Sequence, residues 1–160
     1  MIYNLSANRN TEEAAGSQQL SLVIGPTEVA DVMTGKVITL SAHHSFNDVV
    51  NLMNDRYFRH CVVTDTHGRV VGVISDRDIL RALARNPNSR TKSLDQIMTG
   101  NPITVMRNTP ILDAVAKIVS KRINCLPVVE EDGSVCGIVT STDLLKSYQQ
   151  LLELVQKQGR

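Results

Sequence analysis

The residues best placed by type and spacing to do chemistry form one cluster that occurs twice. It reads Gly72-Val73-Ile74-Ser75-Asp76-Arg77-Asp78 and then Gly137-Ile138-Val139-Thr140-Ser141-Thr142-Asp143. In each, a glycine and two apolar residues lead to a hydroxyl, and an aspartate follows three residues later, where a helical pattern begins. A helix start presents unpaired N–H groups and the positive end of its dipole, which suits a phosphate. The hydroxyl adds one hydrogen bond there, and an aspartate one turn in can accept two from a ribose diol. The same Ser-x-x-Asp or Thr-x-x-Asp unit is also a helix cap, worth about 0.5–2 kcal/mol through the cap residue alone. Taken alone, the cluster supports both readings.

Other chemistry is poorly supplied. His43 and His44 are adjacent, so a regular element cannot turn both onto one metal, and His60 beside Cys61 lacks ligand spacing. The chain has no CxxC, HExxH, GxSxG or P-loop pattern. With no nucleophile–base pair and no metal set, it is expected not to be an enzyme. Arg81 and Arg85 lie four apart after Asp78. They form a solvated face, or a contact for a phosphate tail or an acidic partner.

The elements that must position these clusters come from a duplication. Shifted by 65 positions, as from Met33 to Met98, the chain matches itself without a gap. Val32-Met33-Thr34-Gly35 returns as Ile97-Met98-Thr99-Gly100, Gly68 and Gly72 as Gly133 and Gly137, and Asp78 as Asp143. Each copy opens with a β-branched strand, Val37–Leu40 and then Ile103–Val105. An amphipathic helix follows, with Phe46, Val49, Val50 and Met53 on one face, and Ile111, Ala114, Val115 and Ile118 in the second copy. Ser45 with Asp48 marks the first of these helices, and Thr109 before Pro110 as first helical residue marks the second. A hairpin comes next, Cys61–Asp65 with Val70–Ser75 and Leu126–Glu130 with Val135–Thr140, turning at His67-Gly68 and Asp132-Gly133. A second helix starts near Asp76 and near Ser141. The expected fold is α+β: two βαββα repeats packed about a pseudo-two-fold axis, so that each buries the apolar face of the other.

The predicted organisation is a flexible leader over 1–25, a first repeat over 26–86, a polar linker over 87–93, a second repeat over 94–148 and a helical extension over 149–160. In that extension Leu144, Tyr148, Leu151 and Val155 are spaced by four, three and four. This heptad-like stripe either covers its own domain or meets a second copy.

Composition bounds the rest. At 160 residues, 42% apolar and 21% charged, the chain has the length and make-up of one globular domain. A formal net charge of +1 gives no bulk grip on nucleic acid or an anionic membrane. No apolar run is long enough to span a bilayer and no signal peptide opens the chain. The three cysteines, Cys61, Cys125 and Cys136, lie inside apolar stretches. They read as reduced thiols of a cytoplasmic protein.

From Val29 to Ser147 the chain resembles the CBS domain pair, or Bateman module. The residues that carry the resemblance are Val32-Met33-Thr34, Arg59-His60-Cys61-Val62-Val63-Thr64-Asp65 and Gly72 to Asp78. Their counterparts are Ile97-Met98-Thr99, Cys125-Leu126-Pro127-Val128-Val129-Glu130 and Gly137 to Asp143. Cys61-Val62-Val63 departs from the family's usual Leu-Pro-Val. The resemblance implies a regulatory module, with no obligatory cofactor, that binds an adenine nucleotide (AMP, ADP or ATP) or S-adenosylmethionine in two clefts. By the family pattern, one cleft joins Thr140 and Asp143 to Lys36, Val37 and Ile38, bordered by Arg59 and His60. The other joins Ser75, Arg77 and Asp78 to Asn101, Pro102 and Ile103, with Asn124 and Cys125 at its edge. The backbone of the leading strand would read adenine, the aspartates ribose, and the hydroxyls and basic groups phosphate. The resemblance further implies a homodimer and a regulated protein acted on in trans. The alternative is an interaction scaffold with empty clefts.

Overall fold

A computed structural model describes residues 25–158. The leader expected to be flexible lies outside the described residues but for Gly25.

Each copy is built as the period of its side chains requires. In the first, β1 (Thr39–Ser41) runs parallel to β2 (His60–Thr64), which pairs antiparallel with β3 (Val70–Ser75). The helix α1 (Phe46–Arg56) makes the crossover between the parallel strands, and α2 (Asp76–Arg85) leaves the end of β3. The second copy repeats this with β5 (Val105–Met106), α3 (Ile111–Lys121), β6 (Cys125–Val129), β7 (Val135–Thr140) and α4 (Ser141–Gln158). Both first strands begin two residues later than their β-branched runs suggested. The register is the same in both hairpins, Cys61 facing Ile74 as Leu126 faces Val139, so the Cys61-Val62-Val63 departure leaves the ladder unchanged. Gly68 and Gly133 take φ of 77° and 81°, the left-handed values that make glycine the natural turn residue.

Helix starts differ between the copies. Ser45 and Asp48 form the expected capping box, whereas Pro110 is the N-cap of α3 rather than its first helical residue, without a side-chain cap. Thr109 instead accepts the Met106 N–H in the preceding turn. The expected apolar faces are buried at Phe46, Val49, Ala114 and Ile118, while Val50 reaches the surface.

The cores are not divided as the sequence is. The segment Glu28–Thr34 leads the first copy but packs on the second: Val29 is fully buried among Val105, Ala114, Ile118, Leu126, Val128 and Val139. Reciprocally, Leu94 is fully buried among Leu40, Phe46, Val49, Cys61, Val63 and Ile74 of the first copy. The backbone bonds obey the same exchange, Val29 N–H to Thr109 O and Leu94 N–H to His44 O. The short strand β4 (Thr99–Gly100) extends the first sheet at β3, and Thr34 pairs with Ile138 in the matching place on the second. Met98 crosses the face of Gly72 and Met33 that of Gly137, and a Cβ on either glycine would collide with the sulfur.

Between the sheets lies a third apolar cluster of Val62, Val73, Cys125 and Ile138, with Val37, Val70 and Val135 at its margin. The two hairpin turns are stitched together by Val70 N–H to Gly133 O and Val135 N–H to Gly68 O. The linker is anchored too. Pro87–Thr91 forms a 3₁₀ turn, and the buried Ser89 hydroxyl donates to the Ala82 carbonyl at 2.9 Å.

Candidate functional site

At both sheet-to-helix corners the aspartate turns back onto its own cap. Asp78 Oδ2 accepts from the Ser75 N–H at 2.9 Å and the Ser75 hydroxyl at 2.6 Å, while Ser75 Oγ accepts the Asp78 N–H at 3.3 Å. Asp143 Oδ2 accepts from the Thr140 N–H at 2.8 Å and the Thr140 hydroxyl at 2.6 Å, with the reciprocal bond at 3.3 Å. The identical box at Ser45 and Asp48 stands on an exposed helix start. Capping is thus what this geometry does everywhere it occurs. One oxygen of each acid is engaged by that cap. The second oxygen differs between corners: Asp78 Oδ1 lies 3.6 Å from Arg81 Nη1, whereas Asp143 Oδ1 has no partner among the described residues.

Beside the boxes at Asp78 and Asp143 lies a cleft each. One, of about 370 Å³, lies between α2 and the segment leading the second copy; the other, of about 360 Å³, lies between α4 and the segment leading the first. Their walls are related by the same shift of 65 that relates the sequences. Asp78, Arg81, Ala82 and Arg85 in the first correspond to Asp143, Lys146, Ser147 and Gln150 in the second. Across the gap, Gln96 and Ile97 correspond to Asp31 and Val32. The crossing-over of the leading segments is what makes each cleft a product of both copies.

Of the residues expected in the sites, Asp78 and Asp143 line these clefts, with Ser75 and Thr140 behind them as caps. Val37 packs in the cluster between the sheets beside Ile138, while Lys36 and Ile38 on either side of it are exposed. Asn101, at φ 47°, donates its N–H to Val71 O, which places Asn101, Pro102 and Ile103 beyond the edge of β3. Arg77 is exposed on the first turn of α2.

Arg59 and His60 are held at the first corner. Arg59 O accepts the Asp76 N–H, its Nε is 3.9 Å from Asp76 Oδ2, and His60 pairs with Ser75. Burial lowers the basicity of the His60 imidazole, partly offset by Asp76 and Asp78. Asn124 O accepts the Ser141 N–H at the second corner, yet the neighbouring Cys125 senses the charge of Asp78 in the first copy. Burial is the main cause that pushes the Cys125 thiol up to about 12, and burial likewise pushes Cys61 up to about 12. At that value both thiols stay protonated near neutral pH.

The family model for the CBS domain matches residues 29–85 and 94–150. The chain belongs to the CBS-domain family. It is 32% identical over 122 residues to an L-aspartate semialdehyde sulfurtransferase of Methanocaldococcus jannaschii, covering 76% of this chain and 23% of that relative. The chain therefore spans about a quarter of the length of that curated relative. Among solved structures, the CBS domain pair of protein MJ0100, in complex with 5′-methylthioadenosine and S-adenosyl-L-methionine, superposes with a TM-score of 0.71 at 32% identity, over 76% of this chain and 99% of that one. CBSX2 in complex with AMP superposes with a TM-score of 0.71 at 26% identity, over 79% and 98%.

The CBS pair's cleft walls include residues not named among the expected site residues: Lys92, Gln96 and Thr99 in one, Asp31, Gln150 and Leu154 in the other. Of these, Gln150 and Leu154 carried a signal, their helical spacing from Asp143. The opposite walls carried no such signal, since only the exchange brings them there. His43 and His44 are exposed, with His44 Nδ1 accepting the Ser41 N–H. Among the described residues no group of three or more His, Cys, Asp or Glu is placed to hold a metal ion. No described helix is long and apolar enough to cross a membrane.

Proposed function

We propose that this CBS pair is a regulatory module without catalysis of its own, binding adenosine-containing ligands in its two clefts and relaying occupancy to a partner protein. The observation that carries the reading is the pair of equivalent clefts, each with an aspartate whose Oδ2 is fixed by a cap while Oδ1 stays at the wall. The cap pre-orders the acid, so a ribose hydroxyl meets an acceptor already in place. The ligands of the MJ0100 pair and of CBSX2 support the chemical class. Occupancy would bias how the copies, or two modules, pack, by as much as the ligand's affinity differs between the states.

Asp→Asn variants provide the test. An asparagine still accepts the Ser75 or Thr140 N–H through its amide oxygen, but presents N–H donors where Oδ1 stood. Titration calorimetry with AMP, ATP and S-adenosylmethionine should show one event weakened at least tenfold in Asp78→Asn and another in Asp143→Asn. Unchanged affinities in both variants would remove the ribose assignment. In the parent protein, ligand at a hundred times its Kd adds about 2.7 kcal/mol, a shift of several degrees in Tm.

The capping boxes themselves favour a second reading, since Ser45–Asp48 has the same geometry on an exposed helix start. On it the pair is an interaction scaffold, and every titration is flat. In either case the assembly we propose is a cytoplasmic homodimer. Leu80 and Leu145, equivalent on α2 and α4, are 65% and 67% exposed and give it matched apolar contacts.

A further inference from the structure

The two clefts share a shape and differ in charge. The α2 cleft is lined by three cations, Arg81, Arg85 and Lys92, against one carboxylate, Asp78. The α4 cleft is lined by one cation, Lys146, against two carboxylates, Asp31 and Asp143. The changes fall at equivalent positions: Arg85 is replaced by Gln150 and Gln96 by Asp31, while Asn86 and Ser89 become Leu151 and Leu154. The α4 wall is therefore more apolar as well as more acidic.

The cations of the α2 cleft are not consumed by internal pairing. Arg81 approaches Asp78 at 3.6 Å, but neither Arg85 nor Lys92 has an ion-pair partner among the described residues. Arg85 follows Asp78 by seven residues on the same helix face, about 10 Å along the axis. The corner itself leans the same way, since Arg59 and Arg77 stand where the second copy has Asn124 and Thr142, against the single added acid Asp76. In a cleft with protein walls, a bias of this size acts on a charged ligand more strongly than it would in open water.

We infer that the two clefts sort adenosine ligands by charge: the α2 cleft takes an anionic, phosphorylated adenosine, and the α4 cleft takes an adenosine bearing an uncharged or cationic substituent. Phosphate oxygens meet Arg85 and Lys92 in the first. In the second a sulfonium or thioether side chain meets Asp31 and the Leu151–Leu154 wall. One pair would thus report two chemically distinct ligands at once. The inference rests on the adenosine-binding reading above.

Calorimetric titrations of the full chain with ATP and with S-adenosylmethionine, alone and in succession, separate the possibilities. The expected result is one salt-sensitive ATP event per chain that leaves S-adenosylmethionine binding intact. Arg85→Gln with Lys92→Gln should weaken ATP at least tenfold and flatten its salt dependence, with S-adenosylmethionine unmoved. Gln150→Arg, on an exposed face of α4, should create a second ATP event and weaken S-adenosylmethionine. Competition of the two ligands for the same events, or ATP binding unchanged in the Arg85/Lys92 variant, overturns the sorting while leaving adenosine binding in place. If neither ligand binds, nor adenosine itself, the adenosine reading falls and the sorting with it.

Discussion

His60 shows how one side chain can tie the first corner to pH. Burial holds its imidazole below the ordinary value of 6.5, so the folded protein keeps it neutral at a pH where the unfolded chain takes up a proton. The unfolded state then binds more protons, and stability rises with pH. The contribution is complete above about 6.5 and declines as pH falls from there through the depressed folded value. Urea denaturation across pH 7.5 to 5 should show this decline, and His60→Gln should remove it; an identical slope in the variant would exclude His60 as the source. Asp48 predicts a second, lower limb. Hydrogen bonds from the Ser45 backbone and hydroxyl hold its carboxyl below 3.8, so its contribution is present above that pH and lost beneath it. At this scale much was legible. The duplicated aspartates identified both corners, because a hydroxyl and an acid three apart have few geometries open to them at a helix start. The charge on the opposite walls was not, since Lys92 and Asp31 reach their clefts only through tertiary packing.

Strands, helices and their joints carry the next set of consequences. Gly137 and Gly72 are glycines for the same reason, the methionine that lies across each. Gly137 is the tighter in kind, because a Cβ there would also sit 3.1 Å from the Thr34 carbonyl, and backbone cannot swing aside as a thioether can. Gly137→Ala should therefore cost about 1–3 kcal/mol and Gly72→Ala less, read from denaturation midpoints. Leu94→Ala should cost about 2–5 kcal/mol, and amide exchange should show the loss chiefly in β1, β2 and β3, the strands of the other copy. Loss confined to β5, β6 and β7 would contradict the exchanged packing. Periodicity located every main element, and turn chemistry placed both hairpins. It placed strand starts less well, because β-branched runs such as Val37–Leu40 mark apolar packing rather than ladder pairing, and Val37 packs, half-buried, at the margin of the cluster between the sheets instead. On α4 the heptad-like stripe splits. Leu144 and Leu151 pack inward, whereas Tyr148 lies outside with Leu145, Leu152 and Val155. A helix start fixes the phase of burial, and spacing alone could not choose between neighbouring stripes.

For the molecule as a whole, the repeat was readable from a single self-comparison, and with it the pseudo-two-fold arrangement. What could not be read was which copy each leading segment completes, since Val29 and Leu94 are equally apolar wherever they go. That exchange makes the linker a poor place to cut. A chain severed between Asn86 and Pro87 leaves one half without Leu94 and the other without Val29. Each half alone should lack a cooperative thermal transition, and the mixture should recover one; independent folding of both halves would refute the shared cores. The same feature bears on symmetry. A solitary repeat would have no lid for its own sheet and a spare leader to lend, so it could close only by trading leaders with a twin. With both leaders in one chain the trade needs no second molecule, and the two hollows it leaves are lined by unequal charge.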